Sequence, residues 1–76
     1  MRKAQENEMP RDRFKRLATL RTNEVLNRLK ILGNCANRQA YEYTEKDVEA
    51  IFSAIERKVK ETKAKFHFPK EEAFKL

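Results

Sequence analysis

Between residues 14 and 32 the apolar side chains recur at helical spacing. At about 100° per residue, Phe14, Ala18, Val25, Leu29 and Leu32 fall on one stripe flanked by Leu17, Thr22 and Leu26. A second, narrower stripe runs through Val48, Ile51, Phe52, Ile55, Val59, Thr62 and Phe66. Both predict amphipathic helices. Pro10 suits the first position of the earlier one, because the N-H it lacks would be unpaired there. Gly33 follows the last apolar position and predicts an end at Leu32 or Gly33, with glycine in a left-handed C-cap. Residues 34 to 43 have no helical period and read as a loop of side chains that bond their own backbone. The second helix starts at Glu45: in Thr44-Glu45-Lys46-Asp47 the hydroxyl can accept from the Asp47 N-H while the carboxylate reaches back, and Tyr43 and Val48 occupy staple positions. Acidic residues gather near its start and basic ones near its end, and Glu56 with Lys60 and Glu61 with Lys65 are spaced as favourable pairs.

The pattern predicts an all-α fold: an antiparallel two-helix hairpin over residues 10 to 66, a mobile N-terminal arm over 1 to 9, and a tail over 67 to 76. Pro69 blocks simple continuation of the second helix, and the tail is expected to add at most one turn whose Phe74 and Leu76 dock back. Each stripe is wider than one neighbouring helix covers, so the hairpin is expected to pair with a second copy as a four-helix bundle. Leu20 and Ile31, on the side of the first helix, fit that interface. Arg21, Glu24 and Arg28 lie on consecutive turns beside Leu17, with Arg21 projecting nearly into the stripe. They are read as a partly buried ion pair that fixes register at the dimer interface, or alternatively as an anion site built on Arg21.

Composition narrows the class. The chain has 76 residues, enough for one domain with a marginal core. One glycine and two prolines argue against a sheet with several tight turns. The lone Cys35, the charged and polar first ten residues, and the absence of a long apolar run predict a cytoplasmic protein with no membrane association. With 18 Lys and Arg against 12 Asp and Glu the net charge is +6, which favours acidic partners: nucleic acid, either DNA or RNA, or an acidic protein surface.

The residues offer little for catalysis. Cys35 is at the hairpin turn and His67 at the far end of a helix roughly 30 Å long, so one chain cannot pair them as nucleophile and base. One Cys and one His fall short of a metal set, Ser53 has no histidine near it, and Gly33 alone cannot form a phosphate-cradling loop. We expect no enzyme activity, cofactor or metal. Binding is better represented. Arg13, Arg16, Thr19, Asn23, Asn27 and Lys30 form the outer face of the first helix, a set without an acidic member that can contact phosphates and base edges. Loop residues Asn34, Asn37, Arg38, Tyr41 and Tyr43 combine amide, guanidinium and aromatic groups suited to single strands, or else serve to satisfy backbone groups and cover the core end. Two functions follow: a nucleic-acid-binding hairpin with contacts at Arg13, Arg16, Asn23, Asn27, Lys30, Arg38 and Tyr41, or a protein-interaction adaptor or inhibitor using Leu20, Ile31 and the loop tyrosines.

Phe14, Leu17, Ala18, Arg21 and Asn23, then Leu32, Gly33, Asn34, Asn37 and Arg38, then Tyr41, Tyr43 and Thr44 make up the patterns F-x-x-L-A-x-x-R-x-N, L-G-N-x-x-N-R and Y-x-Y-T. In these, residues 13 to 66 resemble a group of short uncharacterised bacterial and phage helical proteins. Cys35-Ala36 departs from the Leu-Ser common at that point. The resemblance implies the hairpin and an origin on a bacterial or mobile element. Phage-encoded members would imply inhibition of a host nucleic-acid-handling enzyme.

Overall fold

The computed structural model describes residues 8–68, 73, 74 and 76. Among them there are two α-helices, one short 3-10 turn and no strand. Helix α1 spans Pro10–Gly33, the 3-10 turn Asn34–Ala36, and helix α2 Glu45–Lys63. The chain divides into two units, Met1–Glu42 with α1 and Tyr43–Leu76 with α2.

Helix α1 begins as its sequence requires. Proline disfavours the helical region for the residue before it, and Met9 is extended at φ -70 and ψ 152. The Arg13 amide donates to the Met9 carbonyl at 2.9 Å and closes the first turn. Met9 has no capping side chain, so electrostatics near the dipole's positive end falls to Asp12 and to Glu8 just outside the helix.

The other end departs from expectation. Gly33 is the last helical residue, with φ -60 and ψ -23, and no described residue has positive φ. The backbone tightens instead of reversing hand: the Asn34 amide donates to the carbonyls of Ile31 and Leu32, and the 3-10 turn follows. The left-handed cap predicted at Gly33 is therefore replaced by a right-handed one.

Helix α2 starts where predicted. Thr44 Oγ1 accepts from the Asp47 amide at 3.1 Å, and Asp47 Oδ2 accepts from the Thr44 amide at 2.9 Å. This reciprocal pair satisfies one helical donor and the cap's own N-H. The helix ends at Lys63, short of the predicted Phe66, where Lys65 donates to the Thr62 carbonyl and Phe66 to that of Lys63 in two 3-10-type bonds. Lys65 thus lies outside the helix, so the expected Glu61 to Lys65 spacing does not arise. Lys58 Nζ instead reaches Glu61 Oε1 at 3.2 Å.

No described residue is buried, and the apolar stripes are open to solvent: Phe14, Val25, Leu26, Ile51, Phe52 and Val59 are all exposed. Leu17, Ala18, Leu32, Tyr43 and Ile55 are partly covered. Of the predicted arm, residues 1 to 7 lie outside the described residues. In the tail, Phe74 and Leu76 are exposed rather than docked, and residues 69 to 72 and 75, on which the extra helical turn was expected, lie outside the described residues.

Candidate nucleic-acid interface

Helical geometry places Arg13, Arg16, Thr19, Asn23, Asn27 and Lys30 on one side of α1, over about 25 Å of axis, and every one of them is exposed. The face is not free of acid. Asp12 and Lys30 are separated by eighteen residues, which is five whole turns, so the Asp12 carboxylate belongs to the same row at the N-terminal end.

A second carboxylate arrives from outside the helix. Arg16 Nε donates to Glu8 Oε2 at 3.0 Å, and Arg16 Nη2 to Glu8 Oε1 at 2.8 Å. The extended Met9 imposed by Pro10 and the tendency of helical side chains to lean toward the N-terminus bring the two groups together. The Arg16 hydrogen bonds hold the Glu8 carboxyl below its ordinary range against a smaller opposing effect of desolvation, and the charges of Arg16 and Arg13 add to the lowering. Arg16 is correspondingly pushed up, chiefly by its hydrogen bond to Glu8. Sequence reading assigned Glu8 to a mobile arm. The signal for the contact was Pro10, which fixes the direction of the chain before the helix.

Arg21, Glu24 and Arg28 are exposed, and none forms an ion pair with another among the described residues. The expected partly buried pair is not formed among the described residues: all three side chains are exposed, and a solvated ion pair gains little. Leu20 and Ile31 are 53% and 45% exposed, which leaves both open to a partner. On a different side of α1, Ala18, Thr19, Thr22 and Asn23 line a shallow, open depression, where small side chains allow close approach of another backbone.

The loop is organised by Asn37. Its Oδ1 accepts from the Gln39 amide at 3.0 Å, and its carbonyl accepts from the Ala40 and Tyr41 amides at 3.1 and 2.9 Å. This turn presents Tyr41, which is 54% exposed, while Tyr43 is partly covered. Arg38 is exposed, as is the free thiol of Cys35. Among the described residues no group of three or more His, Cys, Asp or Glu is placed to hold a metal ion, and no helix is long and apolar enough to cross a membrane.

Charge is unevenly shared. Helix α1 carries seven basic residues against two acidic ones, whereas α2 carries five of each. The chain matches no protein-family model, no curated protein and no solved structure.

Proposed function

We propose that this chain is a small non-enzymatic nucleic-acid-binding protein that works as a homodimer of antiparallel helical hairpins. The concentration of positive charge on α1 carries the reading. Seven basic residues against two acidic ones, interleaved with Asn23 and Asn27, suit phosphates flanking a groove into which amides can reach. The balanced charge of α2 leaves that helix for packing.

Dimerisation is supported by the uncovered stripes. A helix stabilises a fold by burying its apolar face, and here Val25, Leu26, Ile51 and Phe52 remain exposed in the single chain. A four-helix arrangement covers such faces, with the small-residue depression at Ala18 and Thr22 along the junction and Leu20 and Ile31 left for a second contact on the other side of α1. Burial there would also give Arg21 and Arg28 a reason to pair with Glu24 across the dimer.

A second reading rests on Leu20, Ile31 and Tyr41, whose exposure suits an adaptor or inhibitor of a nucleic-acid-handling enzyme. Light scattering after size exclusion separates the two. The full chain is run alone and with duplex DNA or single-stranded RNA at about 50 mM and about 500 mM salt, a range over which phosphate contacts weaken steeply. A dimer that joins nucleic acid only at low salt supports the first reading. A particle indifferent to both polymers at both salts sinks it.

A further inference from the structure

The nucleic-acid reading assigns Arg16 to a backbone phosphate, yet in the structure its guanidinium is occupied by Glu8. The contact is bidentate: Nε and Nη2 face two carboxylate oxygens at 3.0 and 2.8 Å, in the fork geometry that a phosphate also accepts. Glu8 is drawn in, with its side chain 14% exposed, while Arg16 keeps 40% of its own surface open. The carboxylate therefore takes up the donors without hiding the arginine from a competing anion. Its position is set locally, since Pro10 holds Met9 extended and Glu8 belongs to no helix. Releasing it breaks no helical hydrogen bond.

We infer that Glu8 is an intramolecular competitor for Arg16, an autoinhibitory contact that a phosphodiester backbone must displace before the basic face of α1 engages fully. The inference rests on the nucleic-acid reading and adds a threshold to it. An exposed ion pair is worth little, so Glu8 lowers affinity rather than abolishing it, and a polymer presenting many phosphates displaces it more readily than a single anion. Selectivity for densely charged polymers over small phosphorylated solutes follows.

The test is a double-mutant cycle in the full chain, titrating fluorescein-labelled duplex DNA and single-stranded RNA at about 50 mM salt. Glu8→Gln is expected to tighten binding about three- to tenfold, the range for releasing an exposed pair and one opposing charge, and to steepen the salt dependence by about one phosphate contact. In an Arg16→Gln background the same change should lose most of that gain, because no guanidinium is left to release. A gain that persists without Arg16 would reflect net charge alone and overturn the inference, as would unchanged affinity on Glu8→Gln alone. If the wild-type chain and E8Q both fail to bind either polymer, the nucleic-acid reading falls with it. The Arg16 Nε-H resonance gives a readout independent of affinity. It should shift in E8Q, and shift in the wild type on addition of oligonucleotide but not of equimolar inorganic phosphate.

Discussion

Glu8 and Arg16 are eight residues apart, yet they meet side by side, because an extended Met9 and a backward-leaning arginine bring the chain before α1 against the helix's second turn. The pair makes the start of α1 sensitive to acid. Glu8 is held below the ordinary glutamate range mainly by the Arg16 hydrogen bonds, so its contribution to the folded arrangement is present at and above that range. It is lost as pH falls through the lowered value. Carboxyl carbon shifts followed by NMR should show Glu8 titrating below the ordinary glutamate range, and Arg16→Gln should bring it back toward the ordinary value.

The capping box gives a sharper effect. Thr44→Ala leaves the Asp47 amide without its acceptor and should cost about 1 kcal/mol of α2 stability, visible as reduced helicity in circular dichroism. Thr44→Ser keeps the hydroxyl and should recover most of it. Equal helicity in all three proteins would mean that the cap contributes nothing.

Gly33 has a conformation open to any L-residue, and an added Cβ would meet nothing within 4 Å. Gly33→Ala should therefore stabilise the end of α1 by about 0.4–1 kcal/mol, by restricting the unfolded chain. A left-handed glycine at that position would give the opposite sign, so thermal melting of this one variant distinguishes the two backbones.

Val25 tests assembly. It is 56% exposed in the single chain, where a charge would change stability by less than about 0.5 kcal/mol. At a dimer interface Val25→Asp places an uncompensated carboxylate in an apolar seam, and light scattering should show dissociation to the monomer mass. A variant that keeps the wild-type mass would remove the α1 stripe from the interface.

What could be read from the sequence depended on how far apart the interacting groups lie. Thr44 and Asp47 are three residues apart, and their bonds are a property of that short segment, so the start of α2 was legible to the residue. The shared face of Arg13, Asn23 and Lys30 follows from 3.6 residues per turn. The same arithmetic also puts Asp12 on it, although the face was expected to carry no acidic residue. Gly33 was harder, because both helical hands are open to glycine and the choice lay in the 3-10 turn that follows. The Glu8 contact depends on a backbone restriction at Met9 acting together with a side-chain direction eight residues on, and neither is a periodic signal.

The unequal ends of the two helices also bear on the order in which the chain becomes ordered. Helix α2 has its first turn closed by side chains within its own sequence and carries balanced charge, so its nucleation cost is offset locally. Helix α1 has no side-chain cap and an excess of five positive charges that repel one another along its length. On these local terms α2 is expected to form before α1, and under the nucleic-acid reading proposed above a polyanion would relieve the excess charge of α1 and stabilise that helix rather than α2.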